Sequence, residues 1–180
     1  ENLKDLGATM LEAEVLDENT RAVDFYSRLG METHRLLDCY DVPAFDKANY
    51  GGVEIVPTGW ESIVPFSSSV RSWNPTWQNN DDSLMAIKGH LLCVQATDAA
   101  GLTGFAAMIP ESQTLAQLAV RPDQRRKKLG SAMVARLQEL ATQKPLHVLN
   151  ADAGDGSFSH FMTHLVARRT VGQRALRMQL

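Results

Sequence analysis

Cysteine is nearly missing from this chain: Cys39 and Cys93 are the only two, far apart and without CxxC spacing. That excludes a disulfide framework and a thiolate zinc site, and it points to a reducing compartment. An excess of basic charge is missing too. The 18 Lys and Arg residues against 21 Asp and Glu leave a formal net charge of −3, which argues against general affinity for nucleic acid. No apolar run approaches the roughly 18 residues needed to cross a bilayer. The opening residues, ENLKDLGATM, have neither the basic start nor the apolar stretch of a secretory signal. The expectation is a cytoplasmic protein with no membrane and no nucleic-acid partner.

What is present is ordinary globular material. A chain of 180 residues, 44% hydrophobic and 22% charged, suffices for one domain with a real core, or for a domain plus an appendage. From His90 onward the pattern is regular. Residues 90–97 and 102–109 read as strands joined by the turn Asp98–Gly101, and a break at Pro110–Ser112 precedes a third strand at 113–120. A helix from about Gln124 to Gln143 spaces Leu129, Met133, Leu137 and Leu140 along one face. Pro145 helps to end it, and 145–150 reads as a fourth strand. A Gly/Asp-rich loop at 151–156 leads to a helix near 157–167 with Phe158, Phe161, Met162 and Leu165 on its apolar side. The tail 173–180 reads as a last, partly exposed strand. Upstream, 53–60 reads as a first strand, and Trp60, Trp73 and Trp77 stand as pocket candidates in and around 61–88.

The segment 114–134, TLAQLAVRPDQRRKKLGSAMV, carries the functional signal. A strand ends at Val120, a Pro122 turn follows, and a cationic loop opens the amphipathic helix. That arrangement suits a polyphosphate: Arg121, Arg125, Arg126, Lys127 and Lys128 supply charge, and a helix start offers unpaired N–H groups at its positive end. Gly130 lets backbone or ligand approach where a Cβ would intrude.

These residues closely resemble motif A of the GNAT acetyltransferases, whose loop reads Gln/Arg-x-x-Gly-x-Gly/Ala. Arg125, Lys128, Leu129 and Gly130 match it, behind the family-like L-A-V-x-P of Leu118 to Pro122. Lys128 stands where a glycine is usual, and it either crowds a diphosphate or swings outward and adds a cation to it. The order of elements over residues 51–180 is also that of the family. The resemblance implies an α/β fold with a mixed, mostly antiparallel central sheet flanked by helices. It implies acetyl-CoA as co-substrate, without a metal, held by Leu118, Ala119, Val120, Arg125, Arg126, Lys127, Lys128, Leu129, Gly130 and Ser131. The implied reaction is direct attack of an amine, small-molecule or peptide, on the thioester in a ternary complex. The N–H groups of Leu118, Ala119 and Val120 would face the oxyanion.

The proton-handling groups are less well marked. Where the family's motif-A strand often carries a glutamate, this chain has Thr114 and Gln117, and Met162 takes the place of the helix tyrosine. Tyr26, His160 and Asp152 are the catalytic candidates, with His147 a further one. A binding module that keeps acyl-CoA without efficient chemistry is the rival reading.

Residues 11–31, LEAEVLDENTRAVDFYSRLGM, resemble a motif B, which in the family follows motif A. Shifted along the chain, Phe25 falls on Phe161, Leu29 on Leu165, Tyr26 on Met162, Gly30 on Val166 and Asn19 on Asp155. The expectation is an N-terminal arm, residues 1–45, left from the C-terminal part of a first domain, ahead of a GNAT-like acyl-CoA-binding domain at 46–180. A lone strand and helix bury too little surface to stand alone, so the arm should pack on the following domain or on a partner chain; a homodimer fits that need.

Overall fold

The computed structural model describes residues 3–44, 54–142 and 144–180. The expected boundary between residues 45 and 46, and the beginning of the strand expected from 53, lie outside the described residues.

In chain order the elements are β1 (Met10–Leu16), α1 (Thr20–Arg28), β2 (Glu32–Val42), β3 (Val56–Thr58), α2 (Trp60–Val70), α3 (Asp81–Ala86), β4 (Leu92–Asp98), β5 (Gly101–Ile109), β6 (Thr114–Val120), α4 (Leu129–Leu140), β7 (Leu146–Asp152), α5 (Gly156–His164) and β8 (Arg168–Gln179). One sheet holds the eight described strands in the order β1-β8-β2-β7-β6-β5-β4-β3. All neighbours are antiparallel except β6 and β7. The α/β fold class with a mostly antiparallel sheet and flanking helices is thus the observed one.

β5 shows why the centre of this sheet reads as an unbroken apolar run. Its Ala106 and Met108 pack with Leu129, Met133 and Leu137 of α4, while Phe105 and Ala107 pack with Trp60 and Ile63 of α2 on the other face. A strand covered on both sides has no solvent face to make polar. Cys93 is buried in the second of these clusters, and desolvation pushes its thiol up to about 12, as befits a small core residue.

Two expectations need correction. The helix expected from about Gln124 begins only at Leu129, because Arg126 and Lys128 both hold φ 63, a left-handed backbone that no α-helix continues. A 3-10 turn at Pro122–Gln124 precedes that loop. The last strand is partly exposed as expected, but it starts at Arg168 rather than 173, is twelve residues long, and lies between β1 and β2.

β2 was not foreseen; ETHRLLDCYDV mixes charge into its apolar positions because its sheet face is only partly covered. It pairs with β7 on one side and β8 on the other, so the arm enters the sheet as an interior strand. The units β1-α1-β2 and β7-α5-β8 begin at a constant offset of 136 residues, and the offset holds for both ends of β1 and β7 and of α1 and α5. Each unit's second strand lies between the two strands of the other unit, around an approximate two-fold axis through the Leu37–Gln173 pair. No described helix is long and apolar enough to cross a membrane.

Candidate functional site

β6 and β7 pair only at Thr114–His147 and Leu115–Val148. Beyond Leu115 the strands diverge, and that edge of β6 is left without a strand partner although its other edge stays paired to β5 as far as Val120. The wedge opens into a cavity of about 650 Å³. Four segments meet there: the open part of β6 at 118–120, the loop and first turn of α4, one side of α5 from its start to His164, and Ser72 and Trp73 after α2.

The α4 end has the features that suit an anion. Lys128 is the residue before the helix, at φ 63 and ψ 6, and its side chain does not cap it. The N–H groups of Leu129, Gly130 and Ser131 are therefore left facing the cavity mouth with the helix dipole behind them. A lysine held in a backbone conformation natural to glycine costs roughly 1 kcal/mol, and the loop keeps its shape regardless. Gly130 has a packing reason of its own: a Cβ there would meet the Phe161 ring at 3.2 Å. This close approach lets α5 seat against α4 beside the cavity.

The basic residues divide. Arg121 is committed to Asp98 at 2.7 Å and Asp123 at 2.6 Å, so it faces away from the anion site. Lys127 donates to Gln124 and is not among the cavity's lining residues. Arg125 donates to the Val120 carbonyl at 3.0 Å and to the Ser72 hydroxyl at 2.8 Å, which orients its guanidinium on the cavity wall. Arg126 and Lys128 also line the cavity and have no ion pair among the described residues. Of the ten residues expected to hold the cofactor, the structure thus brings together all but Lys127.

The three catalytic candidates do not come together. His160 lines the cavity from α5. Asp152 lies outside it, ion-paired with Arg35 of β2 at 2.9 Å and accepting from the Gly154 N–H. Tyr26 packs with Val15, Met31 and Leu176 under α1 and meets Phe25 edge-on, apart from the cavity. His147 pairs with Asp41 on the surface. The tryptophans divide as well: Trp60 is core, Trp77 is half exposed, and Trp73 lines the cavity edge-on to Phe158.

Two polar networks behind the wedge were not legible in the sequence. In the first, Arg71 grips Asp81 through both oxygens, Gln117 bonds Asp81 and the Asn79 carbonyl, and Ser67 completes the set. Burial pushes the Asp81 carboxyl up, but the hydrogen bonds from Arg71, Gln117 and Ser67 outweigh it and hold the group below the usual carboxylate range. Gln117, one of the two polar positions on β6, is thereby a strut that ties the α2–α3 connection to β6. The second network centres on Asn150 of β7, 3% exposed and at φ 59. Its amide donates to Glu14 of β1 at 2.5 Å and to Gln78 at 3.2 Å. Only the alternation Glu12–Glu14 within an apolar strand hinted that one of these glutamates turns inward.

Known proteins share this fold. The family model described as an acetyltransferase (GNAT) domain matches residues 68–161, just over half of the chain. The chain belongs to the GNAT acetyltransferase family, and its fold is that of an acyltransferase. Among solved structures, a functionally unknown conserved protein from Staphylococcus epidermidis superposes with a TM-score of 0.70 at 12% identity, over 98% of this chain and 75% of that one. A tandem GNAT protein from the clavulanic acid biosynthesis pathway gives 0.65 at 13%, over 98% and 66%. A GCN5-related N-acetyltransferase from Sphaerobacter thermophilus gives 0.64 at 11%, over 94% and 59%. The chain spans between three fifths and three quarters of these proteins, and at such identities the likeness is one of fold. No curated protein matches the sequence.

Proposed function

We propose that the protein transfers the acetyl group of acetyl-CoA to an amine by direct attack within a ternary complex. One observation carries the reading: a single cavity joins an uncapped helix start, three cationic side chains and the unpaired edge of a diverging strand. A coenzyme thioester needs those three features in that order. The diphosphate rests on the N–H groups of Leu129 to Ser131, with Arg125, Arg126 and Lys128 around it. The pantetheine arm runs along the open edge of β6, and the thioester carbonyl meets the N–H groups of Leu118 to Val120 as it becomes an oxyanion. The neutral amine attacks that carbonyl, the C–N bond forms, the C–S bond breaks, and the thiolate takes up a proton. Of the two histidines on the cavity wall, His160 and His164, His160 stands nearer the start of α5 and is the one assigned to supply it.

The test is calorimetry with acetyl-CoA, followed by thiol release across a panel of primary amines. Acetyl-CoA should bind, and Arg126→Ala or Lys128→Ala should each weaken it by roughly tenfold or more, the worth of one charged hydrogen bond. Well-folded protein that takes up no acetyl-CoA at saturation defeats the reading. Binding without thiol release from any amine replaces it with an acyl-CoA-binding module.

A further inference from the structure

Toward the Leu115–Val148 pair, where β6 and β7 converge, the wedge narrows to a constriction of about 10 Å³. Leu115 to Leu118 of β6 line it, with Val148, Leu149 and Ala151 of β7 and with Trp73 and Phe158. Trp73, Leu118 and Phe158 also line the large cavity, so they form the neck between the two spaces. Gln117 brings an amide to the wall, but its oxygen accepts from Arg71 and its nitrogen donates to the Asn79 carbonyl and to Asp81. A space of this size holds about one water-sized group, and a wall whose amide is already committed favours a methyl group over water.

The strands are held at this separation. The Asn79 amide donates to the Leu149 carbonyl of β7 at 3.4 Å, while the Asn79 carbonyl accepts from Gln117 of β6 at 2.7 Å, so one residue ties both edges of the wedge. The neck is anchored as well. Trp73 follows Arg71, which is bound to Asp81 and Gln117, and Ser72, which accepts from Arg125 of the cationic loop at 2.8 Å. The Trp73 ring meets Phe158 edge-on at 6.4 Å between centroids, and Phe158 meets Phe161 in turn. Trp73 is thereby fixed by β6, by the anion loop and by α5.

Direction decides what enters. A pantetheine arm laid along the open edge of β6 from Val120 toward Leu118 points its thioester at the neck, and an acyl tail continues toward Leu115. Leu118 and Leu115 are about 10 Å apart along the strand, and the gap closes over that length. We propose that Trp73 is an acyl-length gauge: with Phe158 it leaves room beyond the neck for the methyl group of an acetyl thioester and turns longer straight acyl chains away. This rests on the acetyltransferase reading above and narrows it to the smallest acyl donors.

The experiment measures by calorimetry the affinities of CoA, acetyl-CoA, propionyl-CoA and butyryl-CoA for wild type, Trp73→Ala and Leu149→Ala, a readout that needs no acceptor. Wild type should bind acetyl-CoA at least about tenfold more tightly than butyryl-CoA, with propionyl-CoA between them, because a closed apolar site cannot take the added methylenes. In Trp73→Ala the preference should vanish or reverse, since the vacated ring space joins the constriction to the cavity. Leu149→Ala should shift the ratio the same way by less. The Leu149 side chain lines the constriction but not the cavity and is 39% exposed, so this variant decides the matter if Trp73→Ala fails to fold. Affinity for CoA itself, read in each variant, separates a change of acyl fit from a change of grip on the diphosphate. Wild type that binds butyryl-CoA as tightly as acetyl-CoA overturns the proposal while the acetyltransferase reading stands. So does a ratio left unchanged in Trp73→Ala or, where that variant does not fold, in Leu149→Ala. Wild type that binds neither CoA nor any of the thioesters defeats the acetyltransferase reading and takes this one with it.

Discussion

β1-α1-β2 and β7-α5-β8 match at one constant offset from the start of the first strand to the start of the second, yet their helices live in different surroundings. Both helices are capped by a short polar side chain, Asn19 or Asp155, that accepts from the first turn. Both end the same way, with the N–H three residues past the last helical one, Met31 or Ala167, bonded back to the carbonyl of Tyr26 or Met162. α5 then packs against α4, so that Leu165 is 5% exposed and joins the core with Leu129 and Met133. α1 has no such neighbour among the described residues, and its Phe25 and Leu29 are 58% and 52% exposed. Local sequence makes the unit; its neighbour decides whether the helix is core and whether its first turn borders a ligand cavity.

The largest expected difference lies in the two equivalent leucines. Leu165→Ala should cost about 2–4 kcal/mol in chemical denaturation, because it empties a filled core site. Leu29→Ala should cost under about 0.5 kcal/mol, as exposed sites do. Equal losses would mean that α1 is covered in solution, and the contrast between the units would vanish.

The helix ends sharpen the comparison at intermediate scale. Gly30 holds φ 87, whereas Val166 holds φ 56 with a β-branched side chain at the equivalent place. Gly30→Val should lose about 1–2 kcal/mol and Val166→Gly should gain about 0.5–1 kcal/mol, net of the added freedom of the unfolded chain. Thermal melts of the two variants and of the double exchange would show opposite signs. Two losses would mean that the Val166 side chain has a contact worth more than its strain.

The smallest effect belongs to the charges that differ between the units. Asp41 of β2 bonds His147 and Arg168, and the hydrogen bonds from His147 and then Arg168 hold its carboxyl below the usual range. A lowered folded value means stability that is present above the unfolded value and lost as pH falls through the folded one. The pair is exposed, so Asp41→Asn should lower the melting temperature only slightly at neutral pH and not at all in strong acid. A drop that persists in acid would assign Asp41 a role other than charge.

Much of this was legible along the chain. The strands and helices from β4 onward follow alternation and three-four spacing, and the cationic turn marked the loop that lines the cavity. Lys128 was legible as a departure, but not that its backbone would keep the left-handed turn of the glycine it replaces. β2 escaped because an interior strand with one polar face does not look interior. Glu14 escaped for a similar reason: a glutamate in an edge-like strand reads as solvated until the sheet curls it toward Asn150, 136 residues away.

Local periodicity and capping were enough for the sequence alone to determine most of the element types, the motif-A resemblance marked the GNAT family, and the basic turn before Leu129 marked the loop that lines the cavity. Those signals act between residues a few positions apart, where backbone geometry fixes their spacing. The insertion of β2 between β7 and β8, the exposure of α1, and the meeting of Glu14 with Asn150 were decided by the tertiary structure. They depend on which distant strand supplies a partner for unpaired N–H and C=O groups, and that choice is made only when the whole sheet closes its hydrogen bonds together.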